Sequence, residues 1–169
     1  MWLTSKLRKS KRYPWNKGIE VGHRDAFSAS DVTRIRKMLA KGGRASLRDL
    51  ALFSTAIDTM LRAPDLLGLT VKDVRKRNRV MRNTLELAAA NRGRGVRCTL
   101  SKATMSALED WIIQSDKKPS NYLFTRRTGG SLKAITARQL SRLVKDWAEG
   151  IGLDASRYGI ESLRRTRSL

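Results

Sequence analysis

Thr59-Met60-Leu61-Arg62-Ala63-Pro64-Asp65-Leu66-Leu67 is the stretch on which the fold turns. Upstream of it, Leu47, Leu50, Ala51, Phe53, Ile57 and Leu61 recur at helical spacing. They predict a helix with one buried face that delivers Arg62 at its C-terminal end. Pro64 is tolerated at a first helical position, so a third, short helix is expected through Leu69. Ser46 with Asp49 three residues on resembles a capping box opening the upstream helix. Before that, Ser30 is placed to cap a first helix carrying Val32, Ile35, Arg36 and Leu39, which Gly42-Gly43 ends.

Downstream, Val80 to Leu87 and Val96 to Leu100 have strand-like content and flank the glycine-punctuated turn Asn91-Arg92-Gly93-Arg94-Gly95. A β-hairpin is expected, with Ala88-Ala89-Ala90 leaving its first boundary open. Ser101 caps a helix burying Met105, Leu108, Trp111 and Ile112. Tyr122-Leu123-Phe124 reads as a short apolar strand or an extended plug, and Thr128-Gly129-Gly130 as a turn. Thr136 caps a helix with Leu140, Leu143, Val144 and Trp147, ended near Gly150 and Gly152; Ile160 to Leu169 begins another. The pattern is mainly α with a small antiparallel β-sheet, an α+β domain without internal repeats.

Thirty-six Lys and Arg against fifteen Asp and Glu give a net charge of +21 on 169 residues, which points to a polyanionic partner. Residues 1–24 form a basic arm, with Lys6, Arg8, Lys9, Lys11, Arg12, Lys17 and Arg24 against Glu20 alone. Trp15-Asn16-Lys17-Gly18 reads as an anchored turn within the arm, and residues 25–169 as the folded domain. Cys98 is the only cysteine, so neither an intrachain disulfide nor a cysteine zinc cluster can form; its alternating strand context suits a small buried hydrophobe. With His23 the only histidine, no His/Cys metal site is expected. No apolar run reaches the ~18 residues of a membrane span, and the basic N-terminus lacks a signal-peptide apolar core. A cytoplasmic, nucleoid-associated location is expected.

A second short context, Tyr158-Gly159-Ile160-Glu161-Ser162-Leu163-Arg164-Arg165-Thr166, completes a series in fixed order. The series contains the Trp15 turn, Arg48-Asp49-Leu50-Ala51-Leu52-Phe53, the Arg62 stretch, Tyr122-Leu123-Phe124 and the run from Arg138-Gln139-Leu140 to Gly152-Leu153. Together they resemble the catalytic domain of the tyrosine recombinase (phage integrase) family, with Arg62 and Arg164 in its two arginine boxes. The resemblance implies metal-free, cofactor-free chemistry on duplex DNA. A tyrosine attacks a phosphodiester, two arginines grip the non-bridging oxygens, a hairpin lysine protonates the leaving oxygen, and a histidine assists. Asn91 aligns with the lysine and Glu161 with the histidine. The three tyrosines, Tyr13, Tyr122 and Tyr158, precede the nucleophile's position. The resemblance therefore implies a domain that ends before its nucleophile, leaving Leu163 and Leu169 short of cover and an apolar patch beside Arg164.

Such a chain keeps binding better than catalysis, since phosphate contacts by many cations supply most non-specific affinity. The expected DNA surface combines Arg92, Arg94 and Arg97 of the hairpin, Arg138, Arg142 and Lys145 on one helical face, Lys17 and Arg165. A bland alternative pairs Arg62 with Asp65 or Asp58, and Arg164 with Glu161. Three functions follow: a DNA-binding relative that cannot cut alone; a recombinase fragment whose tyrosine segment is missing or comes from another protomer; and a basic RNA- or ribosome-binding protein, against which stands the lack of an RNP strand or GXXG clamp. A second copy or a full-length integrase is the implied protein partner.

Overall fold

The computed structural model describes residues 23–88, 95–127 and 132–166. The Trp15 turn, the hairpin turn with Asn91, Arg92 and Arg94, the Thr128 turn and Leu169 lie outside these residues. Helix α1 spans Ala29–Lys41 and buries Val32, Ile35 and Leu39. Its cap is Ser28 rather than Ser30, because only Ser28 has a carboxylate at the third helical position: Asp31 closes a capping box with it.

Gly43, at φ 59°, enters a 3-10 turn over Gly43–Ser46 that feeds helix α2, Leu47–Thr59. The capping box expected from Ser46 and Asp49 does not form. Ser46 adopts a helical conformation without a side-chain cap bond, and Asp49 is engaged by Arg48 and Arg127. Every residue from Ala51 to Ile57 is buried, the signature of a helix enclosed on all sides. Its hydroxyls are satisfied internally, Thr55 donating to the Ala51 carbonyl and Thr59 to that of Thr55, each at 2.7 Å. Helix α2 packs against α1 and, further along the chain, against α5 (Lys102–Gln114), α7 (Ile160–Arg165) and strand β2 (Val96–Thr99).

The short helices α3 (Ala63–Leu67) and α4 (Val71–Val74) follow. The latter, opened by a Thr70–Asp73 capping box, was not expected, although Thr-x-x-Asp is a local signal. Strand β1 (Thr84–Leu87) pairs antiparallel with β2 (Val96–Thr99), Thr84 opposite Thr99 and Leu87 opposite Val96. β1 starts four residues later than expected because Lys76–Val80 is a tight turn. Arg79 donates to the Lys76 carbonyl at 3.0 Å, and Lys76 to that of Val80 at 2.8 Å. Ser101 caps α5 as expected, and Trp111 on that helix donates to the Leu123 carbonyl at 2.7 Å. Leu123 and Phe124 are fully enclosed in an extended segment bridged through Tyr122 to Thr70 and through Thr125 to Ala134.

Helix α6 (Ala137–Gly150), capped by Thr136 and Gln139, packs on α1, α3 and α7. A Cβ on Gly150 would meet the Met38 sulfur at 2.5 Å, so glycine sets how closely α6 approaches α1. Phe53 is edge-on to both Phe27 (6.0 Å) and Trp147 (5.3 Å), and Tyr158 stacks on Phe27 at 4.7 Å. Two backbone ties close the fold: Phe27 donates to the Thr166 hydroxyl at 3.0 Å and Asp25 to the Arg157 carbonyl at 3.0 Å. Of the two leucines expected to lie uncovered beside Arg164, Leu169 lies outside the described residues and Leu163 is not uncovered. Leu163 is 2% exposed, because α2 and α6 cover it. Among the described residues no helix is long and apolar enough to cross a membrane.

Candidate functional site

Arg62 does not cap α2. That helix ends at Thr59, Met60 turns left-handed at φ 50°, and Leu61-Arg62 runs extended into α3. The alternation of extended chain does the positioning: Leu61 is buried, so Arg62 faces outward. Among the described residues Arg62 has no carboxylate within 4.0 Å. Asp58, the alternative partner, receives Arg36 at 3.3 Å and the Ser101 amide at 2.8 Å. Asp65 does not reach Arg62 either.

Arg164 rides on α7, whose Ser162 and Leu163 are buried. Its Nη1 lies 3.5 Å from the Glu161 carboxylate, a long contact in which Glu161 is largely exposed. A pair of this kind stabilises a helix by about 0.2–0.5 kcal/mol. Its Nε is buried with no acceptor. Helix α3, which follows Arg62, and α7, which carries Arg164, both pack on α6. From α6, Arg138, Arg142 and Lys145 project exposed and without ion pairs among the described residues, at i, i+4 and i+7.

Two expected contact residues are partly committed. Arg97 lies 3.5 Å from Glu86, its cross-strand neighbour. Arg165 donates to the Arg24 carbonyl at 2.9 Å and so fixes residue 24 to α7. Cys98, expected as a small buried hydrophobe, is half-buried and donates to the Thr59 carbonyl at 3.4 Å, and burial raises its thiol above the ordinary value. Tyr158 is a core side chain whose hydroxyl is held above the ordinary phenol value, first by burial and then by Asp31 and Asp25.

Sequence reasoning missed a buried ionic cluster. Arg48 donates to Asp49 Oδ1 through Nε (2.9 Å) and Nη2 (2.7 Å), and through Nη1 to the Thr125 carbonyl (3.1 Å). Arg127 takes Asp49 Oδ2 at 2.7 Å, and buried Lys117 donates to the Thr125 hydroxyl at 2.7 Å. Burial lowers the Lys117 ammonium from the ordinary lysine value. The Arg48-Asp49 sequence was visible; its partners lie more than 70 residues away, beyond any local signal.

The helical fold with one small hairpin is shared with solved recombinases. XerA recombinase superposes with a TM-score of 0.66 at 15% identity, over 85% of this chain and 48% of that one. XerH site-specific recombinase bound to its difH substrate gives 0.64 at 19%, over 85% and 41%. The Tn1549 transposon integrase in complex with circular intermediate DNA gives 0.60 at 20%, over 87% and 52%. In sequence, recombinase Cre of Escherichia phage P1 is 29% identical over 122 residues, 69% of this chain and 36% of Cre. Residues 26–169 match the phage integrase family, and the chain belongs to it. It spans about a third of the length of Cre and about half of the solved recombinases.

Proposed function

We propose that this chain is a DNA-binding, recombinase-type catalytic domain that grips a phosphodiester with Arg62 and Arg164 and tracks the flanking backbone with Arg138, Arg142 and Lys145. The observation that carries the reading is the lack, among the described residues, of carboxylate partners for Arg62 and the α6 cations. A guanidinium on an extended link with no described carboxylate within 4.0 Å, together with three cations on one helix face that make no ion pair among the described residues, is arranged for an external anion. A phosphate oxygen is also the kind of acceptor that the buried Arg164 Nε lacks.

Lys17, Arg92 and Arg94 extend the surface along the DNA in this reading, with Arg97 and Arg165 as weaker contributors because Glu86 and the Arg24 carbonyl already occupy them. The basic arm 1–24 precedes the domain 25–169, and Arg24 ties its end to the domain through Arg165. The partner is duplex DNA, the protein partner a second copy or a full-length integrase, and the location the bacterial nucleoid in the cytoplasm. The 169 residues bind without cutting. By the family resemblance Asn91 aligns with the lysine that donates a proton and Glu161 with the histidine, where a carboxylate would repel the phosphate, and Tyr158 is buried in the core.

Fluorescence anisotropy on a labelled duplex tests binding. Six to ten phosphate contacts weaken it about 10³–10⁵-fold between about 50 and 200 mM salt. No binding at the low-salt end refutes the proposal. A nicked suicide substrate tests chemistry: denaturing electrophoresis is expected to show no protein–DNA adduct, and an adduct overturns the non-cutting half.

A further inference from the structure

A second cationic surface lies at the end of the hairpin remote from its turn. Strands β1 and β2 face the intervening segment 88–95 at Leu87 and Val96, whereas the Lys76–Val80 turn leads into the Thr84–Thr99 end. Four residues of strand, at about 3.3 Å each, separate the two ends. Here Lys72, Arg75, Lys76, Arg77, Arg79 and Lys118 rim a cleft of about 450 Å³. None of the six makes an ion pair among the described residues, and Asp116 is the only carboxylate in the lining.

Two further observations point to a ligand. Arg79 holds φ 65°, a conformation that glycine or asparagine adopts at lower cost, so a long cation stands at the turn's tip against local preference. Ile113, on the wall formed by α5, is 67% exposed among these charges, with Pro119 beside it. A duplex backbone offers such a wall only the shallow edges of its deoxyriboses, with no apolar side chain to fill it. A peptide carboxylate satisfies the rim while a neighbouring apolar side chain fills the cleft, and Asp116 accepts a peptide N–H where it would repel a phosphate.

We propose that this cleft docks an acidic segment of a partner protein, with one large apolar side chain seated against Ile113 and carboxylates on the Arg77–Arg79 turn and Lys118. Lys72 and Lys76 also line a neighbouring cleft that Arg97 enters, so the two surfaces adjoin there, whereas Arg77, Arg79 and Lys118 line only this one and can be changed without touching the cations assigned to DNA.

The test uses the 169-residue chain and a fluorescein-labelled peptide of Glu and Asp with one central phenylalanine, at physiological ionic strength. A matching peptide carries serine in place of the phenylalanine. The phenylalanine peptide is expected to bind saturably and more tightly than its serine counterpart. Arg77→Glu with Arg79→Glu weakens it about tenfold or more while duplex affinity stays within about twofold. Ile113→Ser abolishes the preference for phenylalanine; this residue is exposed, so the fold survives, and Lys118→Glu probes the opposite wall should the turn variant fail to fold. The proposal falls if neither peptide binds, if serine and phenylalanine peptides bind alike, or if the variants leave peptide affinity unchanged. Loss of duplex binding with Arg77→Glu and Arg79→Glu reassigns the surface to DNA and also overturns it. Failure of the wild-type chain to bind duplex, with peptide binding intact, contradicts the DNA reading and leaves this one standing.

Discussion

Arg48 and Arg138 show two ways of keeping an arginine. Arg48 is buried, with its three donor nitrogens engaged by Asp49 and the Thr125 carbonyl. Arg138, with Arg142 and Lys145, stands on the outer face of α6 with no ion pair among the described residues. Burying a charge is costly unless it is paired, so the Asp49 cluster is a requirement of the fold. The α6 cations have no such requirement, and self-repulsion among 36 basic residues makes them a mild burden on the compact state. Whether a cation has partners inside the fold separates a structural role from one kept for a ligand, and it predicts opposite consequences for the two groups.

The buried cluster should respond most strongly to substitution. Asp49→Ala leaves Arg48 buried without its carboxylate and frees Arg127, and should cost about 3–5 kcal/mol of stability. Urea unfolding checks this; a loss below about 1 kcal/mol would show that the cluster is not the structural element inferred. On α6 the pattern reverses. Arg138→Gln, Arg142→Gln and Lys145→Gln together should leave stability within about 0.5 kcal/mol per site. The same triple variant should flatten the salt dependence of duplex binding by about 0.9 for each phosphate it no longer neutralises. An unchanged slope removes α6 from the DNA surface.

A smaller effect concerns Lys117. Burial places its folded-state value below the ordinary lysine value near 10.5, so between the two the unfolded chain holds more protons than the folded one. Stability from this group therefore rises with pH across that window, and its full penalty is present below it. Lys117→Met should remove this rise, seen as the difference between the two proteins' unfolding free energies as pH increases. Parallel curves contradict the assignment.

What was legible in the sequence was local. The spacing of Val32, Ile35 and Leu39, the caps at Ser101 and Thr136, and the pairing of Val96–Thr99 with the strand before it are written within a few residues. Ser28 and Ser30 compete for one cap, and the third-position carboxylate of Asp31 decides between them. Asp49 carries the same local signature and goes elsewhere, since Arg127 reaches it from a distant segment. The end of α2 at Thr59 also escaped, because the left-handed Met60 follows no glycine or asparagine signal. The arginine contexts were readable, whereas the freedom of Arg62 and the partial engagement of Arg97 and Arg165 depend on tertiary placement.

The functional reading stands on Arg62 and Arg164 acting together on one phosphate. Anisotropy across a salt series, comparing duplex affinity of the wild-type chain with that of Arg62→Ala combined with Arg164→Ala, addresses this pair alone. Binding is expected to weaken about tenfold at low salt, with a slope shallower by about 0.9 for the one phosphate left without its arginines. Affinity and slope equal to wild type, in a variant with unchanged thermal unfolding, would contradict the pairing and place the DNA surface elsewhere.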